Sequence, residues 1–540
     1  MNRTRILILG GGFGGVYAAM ALERRFKNDP EVEIALASKE NYLVYQPMLP
    51  EVISGSIGVL DTITPIRRLC PRTNLFTREV ETIDIKNRVV TTASGLRPRP
   101  HTLECDHLIL ALGNVTSFAG QSGLEEHALP FKYLGDALSL RNHLIHVLEE
   151  ADIEKDPEVR RCLLGFVVAG GGFSGVEVIA EINDFVRESV RSFRNIDPSE
   201  IRVVLLHAGA VVLPELPESL GRFAQKVMQR RGVEIRFETK LAGATAEYAL
   251  LHDGAKIPTK TIVSTVPSAP NPLLSSLPCR KERGRVVVNG YLEVPGYPGV
   301  WALGDCAWVP EALSGQPCPP TAQHATRQAE CLAANLVAER SGGAKKPFAF
   351  KTLGKLAALG HHSAVAEIMG FRLSGLLAWF AWRTIYLMKM PGFDRKLRVA
   401  FDWTLDLVLR PDIVQVKTER TAGVGREHFE ASETIFRQGD LGDRVYVIVD
   451  GTVEVVLEGS GKESVLARLG PGECFGEMAL VNDSPRNATA RSVSAVNVLT
   501  LDHGAFDALF AHLPPLRGLF QRLIEERTES RSGHRAEAPS

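Results

Sequence analysis

The sequence contains few cysteines, and none of them lie in closely spaced pairs. Eight cysteines are spread over 540 residues without a Cys-x-x-Cys pair, which excludes a disulfide scaffold and a zinc ribbon. An excess of charge of one sign is also missing, because 62 Lys and Arg residues balance 63 Asp and Glu residues. Nucleic acid is therefore not expected as a partner. A reducing compartment is the simplest setting for such a chain, and no metal site is expected.

Long apolar runs are missing as well. No stretch reaches the roughly 20 apolar residues that cross a bilayer, and the longest candidate, Leu373–Met390, is interrupted by Arg383 and Lys389. The N-terminal apolar run is too short for a signal peptide. With 45% hydrophobic and 23% charged residues, the chain has the composition of a folded protein of several domains. The expected location is the cytosol or a membrane surface.

One strand–turn–helix unit occurs twice. Ile6–Leu9 leads into the glycine turn Gly10–Gly15, and Phe166–Ala169 leads into the glycine turn Gly170–Gly175. Each turn has the Gly-x-Gly-x-x-Gly spacing of a dinucleotide-binding βαβ unit, in which the phosphates lie on the N-terminus of the helix. The two units predict an α/β protein with two Rossmann-like dinucleotide-binding domains.

The strand after each unit usually ends in an acidic residue that holds the ribose, and both copies lack it. Ser38 takes this place in the first unit and is followed by Lys39. His207 takes it in the second unit. Two roles are open for His207, contact with the ribose or simply the end of a strand. The choice between NADH and NADPH stays open with it.

Composition divides the rest of the chain. Residues 345–420 hold thirteen cations against six anions and three of the five tryptophans. From about residue 425, short alternating strands separated by glycines predict a small β-roll. The predicted divisions are 1–164 and 286–345 for the first dinucleotide-binding domain, 165–285 for the second, 346–420 for the basic segment, 425–530 for the β-roll and 531–540 for a disordered tail.

Further segments narrow the family. Trp301–Cys306 contains a Gly-Asp pair typical of flavoproteins with two dinucleotide-binding domains, and Asn41–Pro50 and Thr321–Arg327 add to the match. Over about residues 1–415 the chain resembles the type II NADH dehydrogenases, which are single-subunit NADH:quinone oxidoreductases that do not pump protons. The resemblance implies FAD in the first domain, NADH in the second and a membrane quinone of a respiratory chain as electron acceptor.

The resemblance also implies binding residues. The FAD contacts that it implies are Gly10, Gly12, Gly14, Gly15, Ser38, Lys39, Gln46, Gly113, Gly304, Asp305, Ala322 and Gln323. The NADH contacts that it implies are Gly170, Gly172, Gly175, Glu177 and His207. Glu177 takes the place of the family's glutamate beside the nicotinamide and the flavin.

One position departs from the family. A second glutamine usually follows Gln323 by four residues, and this chain has Arg327 there. Positions i and i+4 share a helix face, so both side chains can point at the flavin and the quinone. Arg327 has three open roles: a hydrogen bond to a quinone oxygen, stabilisation of a reduced flavin, or a structural salt bridge. Glu177, Gln323 and Arg327 are the predicted catalytic residues.

The stretch Phe371–Arg410 suits an enzyme with a lipid-soluble acceptor. Its residues alone slightly favour a buried or dimer-forming helix pair, whereas the resemblance favours amphipathic helices on an anionic lipid surface. The expected location is then the cytoplasmic face of the cell membrane, with Arg383 and Lys389 toward the headgroups. The apolar residues of this prediction are Leu376, Leu377, Trp379, Phe380, Ile385, Leu387, Leu397, Phe401, Leu405 and Val408.

The C-terminal β-roll carries a second resemblance. Phe475–Leu480 and Arg486–Ala490 resemble the phosphate-binding cassette of cyclic-nucleotide-binding domains. Arg486 would pair with the cyclic phosphate, and Glu477 would accept from the ribose 2′-hydroxyl. The resemblance implies cyclic AMP as a regulatory ligand, with contacts from Gly476, Glu477, Ala479, Arg486, Asn487 and Ala488.

Other functions are weighed on the same residues. A sulfide:quinone oxidoreductase needs redox cysteines near the flavin, and residues 332–473 have none. A soluble disulfide reductase is excluded, because no Cys-x-x-x-x-Cys follows the first glycine turn. A redox and cyclic-nucleotide sensor without significant turnover stays open, and an NADH assay with a soluble quinone would separate it from an enzyme.

Overall fold

A computed structural model describes residues 3–93, 101–118, 121–265, 268–313, 315–406, 412–416, 424–442, 444–459, 462–481, 484–502 and 504–506. The chain divides into two compact units, one of residues 1–92 and 102–416 and one of the remaining residues. The helices used below are α1 (Phe13–Arg25), α2 (Glu51–Ser54), α3 (Leu134–Ile153), α4 (Phe173–Ser189), α5 (Glu218–Arg230), α6 (Ala322–Ser341), α7 (Leu376–Lys389) and α8 (Phe393–Asp406). Shorter helices cover Ile66–Leu69, Leu124–His127, Pro157–Leu163 and Glu477–Val481.

A five-stranded parallel sheet forms the centre of the first lobe. Its strands are, in spatial order, Val300–Ala302, His107–Leu110, Thr4–Leu9, Val32–Ser38 and Asn74–Thr77. Ile6–Leu9 is fully buried, as expected for a central strand of a parallel sheet that is covered on both faces. Helix α1 packs against this sheet and against α6, which brings residues over 300 positions apart into one lobe.

A second five-stranded parallel sheet forms the other lobe. Its strands are, in spatial order, Ala128–Pro130, Thr261–Ser264, Gly165–Ala169, Arg202–Leu206 and Val233–Arg236. The strand Ala128–Pro130 comes from the part of the chain that the sequence places in the first domain. Helices α1 and α4 start directly after the glycine turns, so both predicted strand–turn–helix units are confirmed.

Close backbone approach explains the glycines of the two turns. A Cβ on Gly15 would lie 1.8 Å from the carbonyl oxygen of Gly10, and a Cβ on Gly175 would lie 1.8 Å from that of Gly170. Gly10 and Gly170 also have φ angles of +112° and +120°, which side chains of L-residues rarely allow. The two turns are therefore the same backbone structure, built twice.

Smaller sheets complete the first unit. Two of them have two strands: Tyr42–Val44 with Ile63–Pro65, and Asn114–Thr116 with Ser268–Pro270. Four have three strands: Val80–Asp84, Val89–Thr92 and His101–Glu104; Leu241–Ala244, Tyr248–Leu251 and Lys256–Pro258; Lys281–Glu282, Arg285–Val287 and Ala307–Trp308; and Gly354–Ala358, Ala364–Ile368 and Phe371–Gly375. Phe371–Gly375 is thus a strand rather than part of a helix. Helices α7 and α8 follow it and pack on each other.

The tryptophans of α7 face the protein interior. Trp379 is 5% exposed, so the prediction that it lies on a lipid surface is wrong. Trp382 is 1% exposed and is buried as well. Both pack in one cluster with Trp403 of α8. Positions three apart on a helix share a face, and on α7 that face is turned toward the sheet Gly354–Gly375 and α8.

Arg383 is also buried, although the sequence places it at lipid headgroups. Its guanidinium lies 3.9 Å and 4.7 Å from the ring centroids of Trp379 and Trp403. It pairs with Asp406 at 3.5 Å and with Glu51 at 3.9 Å. A buried cation needs such partners, so Arg383 joins α2, α7 and α8 rather than contacting lipid.

The opposite sides of α7 and α8 expose apolar residues. We call these residues the apolar face; they are Leu376, Leu377, Phe380, Met388, Phe393, Leu397, Phe401 and Leu405. Val408 belongs to the same prediction but lies outside the described residues. Within the described ranges, no helix combines the length and apolar composition that a membrane crossing requires.

Two antiparallel four-stranded sheets form the C-terminal unit. One contains Val424–Phe429, Val496–Asp502, Arg444–Asp450 and Cys474–Phe475, and the other contains Thr434–Phe436, Thr489–Ser492, Val453–Gly459 and Lys462–Leu469. Its core includes Tyr446 and Phe475, whose rings stack with centroids 4.9 Å apart. The predicted β-roll is confirmed. The end of the predicted β-roll domain after residue 506 and the tail predicted at 531–540 lie outside the described residues.

Candidate functional site

A cavity of about 370 Å³ lies in the first unit, and we call it the inner cavity. Four predicted site residues from distant parts of the chain meet in its wall: Gln46, Glu177, Asp305 and Ala322. Phe13, the first residue of α1, lines it as well. Both glycine-turn helices therefore contribute to one cavity, since Glu177 lies in the first turns of α4.

The N-terminus of α1 leaves room for a ligand. A Cβ on Gly12 would meet no atom within 4 Å, whereas a Cβ on Gly11 would lie 2.1 Å from the Ser38 hydroxyl. Ser38 is buried at the end of its strand. Lys39 points to solvent and pairs with Glu79 at 3.3 Å. Free N–H groups beside open space are the arrangement that binds a pyrophosphate, and a flavin dinucleotide fits this turn.

Asp305 supplies a carboxylate to the inner cavity. Burial raises the pKa of Asp305, while Lys132 and Arg285 act against this rise. Burial lowers the pKa of Lys132 to about 8, and the nearby Asp305 opposes that shift. The ammonium group of Lys132 also donates to both the backbone and the side-chain oxygen of Asn114. No motif points to Lys132 or Arg285, because both meet Asp305 only through the fold.

Other implied FAD contacts flank this carboxylate. Gly304 and Gly113 have φ angles of +71° and +65°. The Gly304 N–H donates to Gln328 Oε1 at 2.8 Å. A Cβ on Gly14 would lie 3.4 Å from the side chain of Leu303, so α1 packs closely on the strand end that precedes Gly304.

Glu177 lies on α4 and lines the inner cavity. The Ala358 N–H donates to its Oε1 at 3.0 Å. Burial raises the pKa of Glu177 to about 8, although this hydrogen bond and the facing Trp382 indole oppose the rise. Tyr386 lines the same cavity. A carboxyl group that keeps its proton near neutral pH can act as a general acid.

A second cavity, of about 730 Å³, is called the outer cavity. It shares six wall residues with the inner cavity: Phe13, Pro47, Phe173, Ala322, Leu356 and Tyr386. Gln323 lines it and donates from Nε2 to the Gly354 carbonyl at 2.9 Å. Its Oε1 is buried and has no hydrogen-bond partner among the described residues.

Arg327 and Lys389 line the outer cavity, together with Lys355, Glu215 and Glu330. The Arg327 guanidinium lies 5.7 Å from the ring centroid of Phe350. Burial lowers the pKa of Lys389, and the charge of Arg327 lowers it further. No ion pair of Arg327 occurs with a residue in the described part of the chain, so its predicted structural salt bridge has no support there.

The second glycine turn lies beside His207 and Glu215. The His207 ring is fixed by a 2.8 Å hydrogen bond between Nε2 and the Val211 carbonyl. A Cβ on Gly171 would lie 2.4 Å from its Nδ1. Glu215 Oε1 would be 3.5 Å from a Cβ on Gly172, and Glu215 also lines the outer cavity. Sequence reasoning missed Glu215, since it follows the strand by nine residues and fits no spacing rule.

The C-terminal unit has its own cavity of about 300 Å³. All six predicted residues of the cassette line it: Gly476, Glu477, Ala479, Arg486, Asn487 and Ala488. Arg486 donates to the carbonyls of Gly476 at 2.5 Å and Arg444 at 2.8 Å. Its guanidinium lies 4.2 Å from the Phe436 ring centroid. Arg486 is 3% exposed and Glu477 is 2% exposed, so two buried polar side chains border an otherwise largely apolar cavity.

Three ranges of this chain match known protein families. Residues 4–329 match the pyridine nucleotide-disulphide oxidoreductase family. Residues 353–409 match the NDH2 C-terminal domain, and residues 426–512 match the cyclic nucleotide-binding domain. The three matches cover the wall of the inner cavity, most of the wall of the outer cavity, the apolar face and the cavity of the C-terminal unit.

Individual relatives agree with these families. A type II NADH:quinone oxidoreductase of Mycobacterium tuberculosis, NdhA, is 32% identical over 76% of this chain and 88% of the relative. The demethylphylloquinone reductase NdbB of a Synechocystis strain is 31% identical over 74% of this chain and 96% of the relative. The structure of NDH2 from Plasmodium falciparum in complex with NADH is similar in fold, with a TM-score of 0.72, 19% identity, and coverage of 76% of this chain and all of that one.

Proposed function

Since the chain belongs to the type II NADH:quinone oxidoreductases, within the pyridine nucleotide-disulphide oxidoreductase family, we propose that it passes electrons from NADH to a membrane quinone without pumping protons and under the control of a cyclic nucleotide. The main support for the proposed electron transfer is that the inner and outer cavities share a wall. Two substrates can then reach one cofactor from neighbouring spaces.

The cofactor side rests on the first glycine turn. FAD, when bound, supplies the redox chemistry. The N-terminus of α1 at Gly12 binds its pyrophosphate, and Asp305 accepts hydrogen bonds from its ribityl chain. Lys132 and Arg285 hold the Asp305 charge in place. Ser38 donates to the adenosine ribose from the end of its strand.

The two substrates use different residues. NADH lies on the turn Gly170–Gly175, and His207 and Glu215 face its ribose and phosphates. The quinone enters the outer cavity, where the Arg327 guanidinium donates to a quinone oxygen. Gln323 is held in the wall of the outer cavity by its bond to Gly354.

The functional test uses the whole chain in lipid vesicles with an entrapped pH dye. NADH oxidation that depends on quinone, with no change in internal pH, is the expected result. NADH oxidation without quinone reduction, or acidification of the vesicles, would contradict the proposal. A redox sensor would bind both ligands without sustained turnover. A sulfide:quinone oxidoreductase is disfavoured, because no cysteine lines either cavity among the described residues.

The turn at Gly12 provides a prediction about the cofactor. Gly12→Ala places a methyl group in the open space at the α1 N-terminus, so we expect FAD affinity to fall at least about tenfold, or ~1.4 kcal/mol. The flavin absorbance that remains after gel filtration measures this loss. Gly135→Ala, which adds the same methyl group in open space at the start of α3, is the control. Normal flavin retention by the Gly12 variant would show that the pyrophosphate lies elsewhere.

The apolar face is the proposed docking surface for the membrane. Its side chains are exposed without covering residues in the described part of the chain, and the cations Lys389 and Arg398 are exposed on the same two helices. Apolar area combined with cations binds anionic lipid surfaces. We expect peripheral attachment at the cytoplasmic face. A homodimer through the same surface is the alternative, and sedimentation without lipid distinguishes the two.

We also propose that a cyclic nucleotide bound in the C-terminal cavity regulates the enzyme. In this proposal Arg486 pairs with the phosphate of cyclic AMP and Glu477 accepts from its ribose; both residues line the cavity. The chain that leads toward this unit is fixed on α3, where the Asn142 amide donates to the Val416 carbonyl at 2.7 Å and accepts from its N–H at 3.0 Å. The neighbouring Arg141 donates to the Ile53 carbonyl in α2 at 3.0 Å. Such contacts can transmit a shift between two states of the enzyme, typically about 1–3 kcal/mol.

Arg486→Ala is expected to weaken cyclic AMP binding at least about 100-fold, because a buried charge-assisted contact contributes on the order of 3 kcal/mol. Titration calorimetry of the full chain measures this, with cyclic GMP as a competitor. Arg437→Ala, which removes an exposed arginine of the same unit, should leave binding unchanged. Vesicle-bound NADH oxidation should respond to cyclic AMP in the wild type and not in the Arg486 variant. Wild-type protein that binds no cyclic nucleotide would refute the regulatory part alone.

A further inference from the structure

Two cations of the outer cavity lie close enough to repel each other, and we call them the cation pair. They are Arg327 of α6 and Lys389, the last residue of α7. Burial lowers the pKa of Lys389, and the nearby charge of Arg327 lowers it further. Within the described ranges, neither side chain forms an ion pair or a hydrogen bond. A bound anion would remove the repulsion between the two charges.

The carboxylates of the same wall do not balance the cation pair. Glu330 pairs with Arg24 and lies 3.9 Å from Arg25, so its charge is matched by cations of α1. The carboxylate of Glu215 faces the second glycine turn, since its Oε1 would lie 3.5 Å from a Cβ on Gly172. The region around the cation pair is therefore electropositive, although the wall as a whole holds charges of both signs.

Helix structure explains the position of only one member of the pair. Lys389 ends α7, where a cation stabilises the negative end of the helix. Arg327 follows the first residue of α6, Ala322, by five positions, near the positive end of that helix, where a cation gains no such stabilisation. Ala322 lines the outer cavity too. The N-terminus of α6 therefore adds its positive potential to that of the cation pair.

The rest of the outer cavity suits an aromatic ring. Its aromatic wall residues are Phe13, Tyr17, Tyr45, Phe350 and Tyr386. Gln323 lines the same wall one helical turn before Arg327, so α6 contributes an amide and a guanidinium to one face of the cavity. A guanidinium bonds more strongly to an oxygen anion than to a neutral carbonyl. The wall thus combines groups for a quinone ring with groups for a negative charge on that ring.

We propose that the outer cavity selects quinones that carry an ionised hydroxyl group on the ring, with the cation pair bound to the oxygen anion. This inference rests on the proposed function, which names a quinone but not its charge. A hydroxyl group conjugated to a quinone carbonyl is a vinylogous carboxylic acid, so it is ionised at neutral pH. A cavity lined by cations concentrates such an anion, whereas a neutral quinone gains only ordinary hydrogen bonds.

The test compares the binding of two quinones of nearly equal size to the oxidised full-length flavoprotein, without NADH. Lawsone is a hydroxynaphthoquinone, and menadione has a methyl group in place of that hydroxyl. Titration calorimetry should show at least about tenfold tighter binding of lawsone, because charge-assisted hydrogen bonds are roughly twice as strong as neutral ones. Added salt should weaken the binding of lawsone and leave that of menadione unchanged.

Variants of the cation pair should remove this preference. Arg327→Gln and Lys389→Met should each lower the ratio of the two dissociation constants, and the double variant should bring it close to one. Lys355→Met is the matched control, because this third cation of the wall already donates to the Glu215 carbonyl at 2.5 Å. It should keep the wild-type ratio. Only variants with wild-type flavin content and melting temperature enter the comparison.

Equal binding of lawsone and menadione by the wild type would overturn the proposal, and so would an unchanged ratio in the double variant. A lipid headgroup is the other source of an anion. If dihexanoyl phosphatidylglycerol displaces lawsone and binds the cation pair more tightly than lawsone does, the pair belongs to a lipid site and the proposal fails. Failure of the proposed function shows separately, as wild-type protein that does not oxidise NADH with menadione.

Discussion

Glu177→Gln is expected to slow quinone reduction at least about 100-fold while FAD stays bound. A general acid contributes on the order of 10²–10⁴-fold, and an amide cannot donate the proton that a carboxyl group gives up. The amide oxygen can still accept from the Ala358 N–H, so the helix and the cavity wall should keep their structure. Steady-state NADH oxidation with a soluble quinone, together with the flavin spectrum, measures both outcomes.

The pKa of Glu177 predicts in which direction the rate of quinone reduction changes with pH. The pKa of Glu177 is raised to about 8, so its carboxyl group is protonated below that pH and ionised above it. Wild-type quinone reduction should therefore be retained from neutral pH up to about 8 and decline at higher pH. The slow residual rate of the Gln variant should show no such decline. A variant as fast as the wild type would exclude Glu177 as the acid.

Local patterns carried the sequence predictions that the structure confirms. The spacing of Gly10–Gly15 and of Gly170–Gly175 fixes a turn through contacts within six residues, so it can be read without knowing the rest of the fold. The cassette around Gly476 and Arg486 is equally local, and its residues do meet at one cavity. The two-lobe α/β architecture with a C-terminal β-roll followed from these motifs.

Contacts across the chain could not be predicted in this way. Asp305 is matched by Lys132, 173 positions earlier, and only the inner cavity brings them together.

The orientation of α7 shows the limit of composition. Trp379 and Trp382 suggested a lipid boundary, yet they pack inward, while Leu377 and Phe380 point outward. The same helix carries apolar residues on both sides, so hydrophobicity alone cannot tell the buried side from the exposed one. The cation Arg383 decides it, because its partners Glu51 and Asp406 belong to other helices of the protein.

Replacing three exposed residues of the apolar face should release the protein from membranes. In the combined variant Leu377→Ser, Phe380→Ser and Phe401→Ser, each change removes about 2 kcal/mol of apolar transfer free energy. A total of about 6 kcal/mol corresponds to roughly 10⁴-fold weaker partitioning. Sedimentation with vesicles that contain anionic lipid measures this, and NADH oxidation with a soluble quinone should stay close to wild type.

Trp382→Ser gives the contrasting result and separates the two sides of α7. Trp382 is buried against Tyr386 and Trp403, so its loss should lower the free energy of unfolding by about 3–5 kcal/mol. The protein that remains folded should still bind vesicles, because its apolar face is intact.

High salt should weaken vesicle binding only in part, since it screens Lys389 and Arg398 but not apolar burial. If the triple variant still sediments with vesicles, the membrane contact lies outside the apolar face; if it loses a dimer present in the wild type without lipid, that face joins two copies of the chain.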